Sequence, residues 1–470
     1  MTFPRYPEYK DSGVEWLGEV PAHWRVLAGR RLFKQRKERP HPGDEQLTAS
    51  QAYGVVPQRQ FMEDTERRVA IAIRESNAFR HVERDDFVIS LRSFEGGIER
   101  SYYKGIVSSA YTVLQAASSP IEPKYFRYLL KDVAYISALQ ATTDSLRDGK
   151  SIRFSDFGSI ALPLAPREEQ EKIAVFLNHE TGQIDALIEE QRRLIELLKE
   201  KRQAVISHAV TKGLDPNVPM KDPGVEWLGE VPAHWDAVSL RRVLDAIEQG
   251  WSPECNNTPA EDGGWGVLKA GAVNNGIFRE NENKSLPDEL HPRPELEVRS
   301  GDVLLCRASG STDLIGSVAH VDQSRGQLML SDKLFRLIFT RNVSPKFISR
   351  TLGSVSLRRQ IEQSINGAEG LANNLSQATI KALMIPVPPL PEQNEIVDHI
   401  EHMTGDLERL LDASHQAVAV LQERRSALIS AAVTGKIDVR GWSTGVESEE
   451  PELAMVAEHR AGYSAQGGAA

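Results

Sequence analysis

The side chains in this sequence best suited to recognition chemistry lie on short, glycine-rich loops. Arg92-Ser93-Phe94-Glu95-Gly96-Gly97 is followed closely by Arg100, Tyr102, Tyr103 and Lys104, which combines cationic donors, aromatic faces and pliable backbone. An arginine can donate a bidentate pair to a guanine edge, and serine or lysine can hold a phosphate. Lys150 and Arg153 add positive charge downstream. In the second half, Arg307-Ala-Ser309-Gly-Ser311 is the analogous stretch, joined by Lys333, Lys269, Asn274, Asn373 and Asn374. Asparagine suits adenine, although paired asparagines are also ordinary turn residues. Taken alone, the first loop reads more simply as a solvated hairpin. The choice depends on the elements that carry it.

Those elements are organised as a repeat. Asp11–Arg25 (DSGVEWLGEVPAHWR) recurs at Asp222–Asp236 (DPGVEWLGEVPAHWD), with thirteen of fifteen positions identical at an offset of 211. Pro163–Asp215 aligns without a gap to Pro386–Asp438 at an offset of 223, with Gln170/Gln393, Thr181/Thr404, Gly182/Gly405 and Leu198/Leu421 as landmarks. Between these stretches the halves diverge: Phe87–Val107 finds no clear partner in Val303–Val321. What repeats is expected to be scaffold, and what varies is expected to be readout.

The second repeated stretch has helical periodicity. Ile184, Leu187, Leu194 and Leu198, with Ile188 and Ile195, form an apolar seam, matched by Leu407, Leu410, Leu421 and Leu428 in the other copy. Prolines precede each helix, and Gly182 and Gly405 mark an expected break between a short lead-in helix and a long one from about Ile184 to His208. Two such helices in one chain can pair as a coiled coil. The variable regions read as α/β. Asp86–Leu91, Ile106–Leu114, Asp302–Cys306, Ser317–Val321 and Lys333–Phe339 are strand-like, and Lys124–Leu139 is helix-like. The expected fold is therefore two α/β (α+β) domains joined by two long repeated helices in an antiparallel coiled coil with a pseudo-two-fold repeat. The expected boundaries are 1–162 and 216–385 for the domains, 163–215 and 386–442 for the helices, and 443–470 for an acidic, disordered tail.

Catalytic patterns are missing. The one Gly-Lys-Ser, Gly149–Ser151, has Asp144 where a phosphate-binding loop needs its first glycine. There is no Asn-Pro-Pro-Tyr or Asp-Pro-Pro-Tyr tetrapeptide, no glycine-rich cofactor loop opening a helix, and no His-Glu-x-x-His. Glu19 and Glu230 precede the motif histidines His23 and His234 by four residues, but Pro21 and Pro232 lie between and would disrupt a helix that aligned them. The helix histidines His179 and His402 lack ligands at metal spacing in both copies, so a structural role is expected for all four and no metal. Two distant cysteines, Cys255 and Cys306, exclude a disulfide framework and suit a reducing cytoplasm. No apolar run approaches a membrane span, and the N-terminus has no signal-like core. Net charge is −10, yet Arg25–Ile160 holds 22 basic and 17 acidic residues, and DNA binding needs only a local basic face.

The order of motifs resembles the specificity subunit of type I restriction–modification systems. It is carried by Trp16…Gly18-Glu-Val-Pro21-x-x-Trp24 and its copy ending in Pro232-x-x-Trp235, by Lys104-Gly105-Ile-Val-Ser108, and by Leu162-Pro163…Glu169-Gln170 and Val387-Pro388-Pro389…Glu392-Gln393. The resemblance implies a non-catalytic subunit whose two variable regions each read one half of a split site in double-stranded DNA. It implies helices that set the spacer and dock two methyltransferase subunits, with restriction/motor subunits completing the complex. S-adenosylmethionine, ATP and magnesium would belong to those partners, and no cofactor to this chain. The competing expectation is a coiled-coil adaptor that joins proteins and never touches DNA, which the acidic net charge favours weakly.

Overall fold

The computed structural model describes residues 3–51, 53–65, 79–91, 93–117, 120–142, 152–366 and 374–443. The acidic tail expected from residue 443 onward lies almost wholly outside them. The chain divides into two compact units, Met1–Arg193 with His415–Ala470, and Leu194–Ser414. These divisions fall in the middle of each repeated helix, whereas the sequence places boundaries at the helix ends.

The two helices are longer than the periodicity alone suggests. Helix α1 spans Arg167–Lys212 and helix α2 spans Leu390–Val433. Both run unbroken through Gly182 and Gly405, so the expected lead-in break is absent. A single glycine costs a helix interior about 1 kcal/mol, too little to interrupt a ladder bonded on both sides. Pro163 and Pro166, and Pro386, Pro388 and Pro389, precede the helices as read, whereas Pro391 lies within the first turn of α2, where its missing N–H costs no hydrogen bond.

The seam also differs in detail. Ile184, Ile188, Ile195 and Leu198 are buried, as are Leu407 and Leu428, while Leu421 is half-buried. Leu187, Leu194 and Leu410 are instead 46%, 41% and 51% exposed. A facing helix covers only the narrow stripe repeating at alternate steps of four and three, and the flanking leucines remain outside it. We therefore expect Ile188→Ala to cost about 2–4 kcal/mol and Leu187→Ala less than about 0.5 kcal/mol. Comparable losses for the two in urea unfolding would refute this seam.

In the first unit, Arg425 on α2 grips Asp185 on α1 through two hydrogen bonds of 2.8 and 3.2 Å, and Lys172 reaches the Arg440 carbonyl just past α2. In the second unit, Arg202 on α1 pairs with Glu408 on α2 at 3.2 Å. Both partners of the first pair recur in the second at the repeat offset of 223.

The variable regions share a topology that their sequences hide. In the first unit, β1 (Phe33–Arg36), β2 (Phe87–Ile89), β3 (Glu99–Arg100) and β4 (Thr112–Ala116) form an antiparallel sheet ordered β1-β4-β2-β3. In the second, β5 (Leu244–Gln249), β6 (Val303–Cys306), β7 (Val318–His320) and β8 (Leu334–Phe339) repeat it as β5-β8-β6-β7. Phe87–Val107 and Val303–Val321, unalignable as letters, thus supply the same two strands. Backbone pairing tolerates any sequence that keeps an apolar inner face. Two expected elements are split. Ile106–Leu114 becomes Gly105–Val107 and β4, separated by the Ser108–Tyr111 turn. Lys124–Leu139 becomes two helices, Pro123–Leu129 and Val133–Ala141, because Asp132 caps the second by accepting from the Ala134 and Tyr135 N–H groups.

Candidate nucleic-acid interface

The repeated motif is a clasp that holds each variable domain to the helices. In the first unit, fully buried Trp24 donates its indole N–H to Glu169 Oε1 at 2.9 Å, His23 Nε2 lies 2.8 Å from Glu169 Oε2, and the Tyr6 hydroxyl also donates to Glu169. Burial and the adjacent carboxylate push the Tyr6 hydroxyl far above its ordinary range, so it stays protonated and serves as a donor. In the second unit, Trp235 and His234 hold Glu392 in the same way, at 3.0 and 2.9 Å. Gln170 and Gln393 complete each joint. The Gln170 side-chain oxygen accepts from the Glu122 N–H and its amide donates to the Pro120 and Ala165 carbonyls, while Gln393 bonds the Ser344 N–H and Pro388 carbonyl.

Each motif also seats the end of the other helix. Gly435, just past α2, lies against Pro21 and Trp24, and Gly213, just past α1, lies against Trp235. Both glycines have φ near +75°, the left-handed conformation that ends a helix and that side chains disfavour. Lys436 and Lys212 then donate to the Glu19 and Glu230 carbonyls, equivalent positions of the motif. His23 and His234 thus pair with carboxylates of the following helices.

With the domains anchored, the candidate readers can be placed. In the first unit Ser93 is buried and bonds the Ser90 N–H, and Arg100 is buried with its guanidinium on Asp85 at 2.8 Å. Ser93 serves the interior of the domain, whereas Arg100 is fixed at the wall of a cleft. Tyr102 is half-buried, under the Arg100 guanidinium, and accepts from Arg127 at 2.8 Å. Lys104 is exposed and pairs with Glu83 at 3.0 Å. Arg153 is exposed just before the helix Phe154–Ser159. Arg92 and Lys150, and the side chain of Phe94, lie outside the described residues. Arg100, Tyr102, Arg127, Tyr53 and Lys131 line a cleft of about 350 Å³. The sequence reading missed Arg127 because it sits on a helix without a motif around it.

In the second unit several candidates converge. The Arg307 N–H donates to the Lys333 carbonyl at 2.8 Å, Ala308 bridges Asn374, and Ser309 and Ser311 bond within the same loop. Arg307, Ser309, Ser311, Lys333 and Asn374 therefore share one edge, beyond the ends of β6 and β8. Arg307 stacks on Phe335, and its Nε is buried without a hydrogen-bond partner. Lys333 and Asn374 are exposed. Lys269 and Asn274 belong to a separate segment, where the Asn274 carbonyl accepts from Arg279 at 2.9 Å. Asn373 lies outside the described residues.

A cluster with metal-ligating chemistry also appears. Glu38, His41 and His81 place one donor atom each within 4.8 Å of one another. His41 and His81 are 40 residues apart, so spacing in the sequence could not reveal them.

Residues 232–413 match the family model described as the type I restriction modification DNA specificity domain. The second half of the chain is thus similar to that specificity domain. It is 29% identical over 242 residues to the type I restriction enzyme EcoEI specificity subunit of Escherichia coli, a match covering 51% of this chain and 40% of that relative. It is 25% identical to the MjaVIII specificity subunit of Methanocaldococcus jannaschii, over 72% of this chain and 75% of that one. The chain thus spans less than half of the EcoEI relative's length. A solved chain from work on complex assembly and conformational transition of the type I R-M system has the same fold, with a TM-score of 0.63 at 15% identity over 89% of this chain and 99% of its own.

The matched segment begins at Pro232, inside the second clasp, and ends in α2, so it covers one variable domain with its anchoring points. Among the described residues no helix is long and apolar enough to cross a membrane.

Proposed function

We propose that this chain is the DNA-specificity subunit of a cytoplasmic type I restriction–modification complex. Each variable domain reads one half of a bipartite site in double-stranded DNA. The two long helices, paired as an antiparallel coiled coil, fix the spacer and dock two methyltransferase subunits, and restriction/motor subunits join them. The chain is itself non-catalytic, and S-adenosylmethionine, ATP and magnesium are handled by the partners. One observation carries this reading: two sheets of identical strand order but unrelated sequence, each fastened by the same clasp. A constant frame with changed surface letters is what a two-part reader requires, since phosphate contacts position a protein and base contacts specify its site.

Exchanging residues 25–160 for the corresponding region of another specificity subunit tests it. Methylation by the assembled complex should change at one half-site and stay the same at the other. Discrimination at the exchanged half should be replaced outright, because each mismatched base pair costs about 1–3 kcal/mol. Altered recognition in both halves, or methylation without sequence preference, would sink the proposal.

A further inference from the structure

We propose that Glu38, His41 and His81 form a site for one zinc-class divalent cation in the first unit. The inference rests on side-chain geometry and is independent of the DNA-reading function. His81 is fully buried on the strand Arg80–Val82, with its backbone N–H on the Glu38 carbonyl at 3.2 Å. The imidazole of His41 stacks on it, with ring centroids 4.1 Å apart. Asp44, its side chain 3% exposed, orients the His81 ring and fixes the His41 backbone: its Oδ2 accepts from the His41 backbone N–H and lies 2.7 Å from His81 Nδ1. A carboxylate that holds one ring nitrogen, and so fixes tautomer and ring orientation, is the usual outer partner of a metal-bound histidine.

The other His81 nitrogen, Nε2, lies 2.9 Å from Glu83 Oε1, so His81 carries a proton toward each of two carboxylates. A cation takes the place of the proton between His81 and Glu83. That proton is released to solvent, and Glu83 supplies a fourth ligand beside Glu38, His41 and His81. Glu38 and Glu83 already share their charge with Arg36 and Lys104 at 2.7 and 3.0 Å, contacts that coordination would loosen. Zinc–nitrogen bonds of ~2.0–2.1 Å place tetrahedral ligands roughly 3.3 Å apart. The present limit of 4.8 Å therefore closes with about 1.5 Å of movement, which the exposed side chains of Glu38 and His41 permit. Two imidazoles with carboxylates select zinc and its transition-metal neighbours over magnesium or calcium, which take oxygen ligands. The ion would tie the loop after β1 to the strand Arg80–Val82.

The test uses the full-length, tag-free chain, stripped with chelator and then given zinc chloride alone. About one zinc per chain should survive gel filtration, and zinc should raise the melting temperature. Cobalt(II) in its place should give the strong visible absorption of a tetrahedral site. His41→Ala and Glu38→Gln, both at exposed positions, should each bind zinc at least about tenfold more weakly while melting like the parent in chelator. Should His41→Ala disturb folding, Glu38→Gln carries the comparison. If the parent chain retains no zinc, or both variants retain it with parental affinity, His81 is held by Asp44 and Glu83 alone and the proposal is overturned.

Discussion

Glu169→Ala is expected to destabilise the first unit by about 3–5 kcal/mol, one of the largest effects of any single substitution in this chain. The Glu169 side chain is 6% exposed and accepts from Trp24, His23 and Tyr6. Alanine would leave the buried Trp24 indole N–H and Tyr6 hydroxyl without partners, and an unmade buried hydrogen bond costs more than a made one contributes. The second clasp provides the control. Glu392 is 27% exposed and bonds only Trp235 and His234 among the described residues, so Glu392→Ala should cost about 1–2 kcal/mol. Urea unfolding followed by tryptophan fluorescence distinguishes the two. Equal losses would show that the Tyr6 bond and the deeper burial contribute nothing.

The second large effect is on recognition, and it rests on the proposed DNA-reading function. Removing one heptad from α1 and the equivalent heptad from α2 should change the spacer between half-sites while leaving both half-sites intact. Seven residues amount to about 10 Å of helix, or about three base pairs of DNA. Removal in whole heptads keeps the buried stripe facing its partner, so both shortened helices can still pair. Removal from one helix alone would put an arginine out of register with its acid, at Asp185–Arg425 or Arg202–Glu408, and should lower stability. Methylation mapping on a library of spacers reads the result. An unchanged spacer preference in a folded double deletion would separate the helices from any measuring role.

Much of the scaffold was legible because it is written twice. The clasp motif, the Glu-Gln pair before each helix and the helical period are short-range patterns, and repetition separated them from chance. The partners of those residues were not legible. Nothing local to Trp24 indicates Glu169, which lies 145 positions away, and the same distance problem hid His41 beside His81. Among candidate readers, sequence could weigh residue type but not exposure. Ser93 has suitable chemistry and turns inward, whereas Lys333 and Asn374 face outward.

The sequence by itself determined that there are two similar halves, that each ends in a long amphipathic helix, and that no familiar catalytic motif is present. Periodicity and repetition are properties of the chain read in order, so they survive without coordinates. Only the tertiary structure decided which stripe of each helix is buried, that the divergent regions share one strand order, and that each helix is divided between two units. Those outcomes depend on which surfaces meet across one to four hundred residues. Burial and backbone pairing select them, and both accept many different sequences.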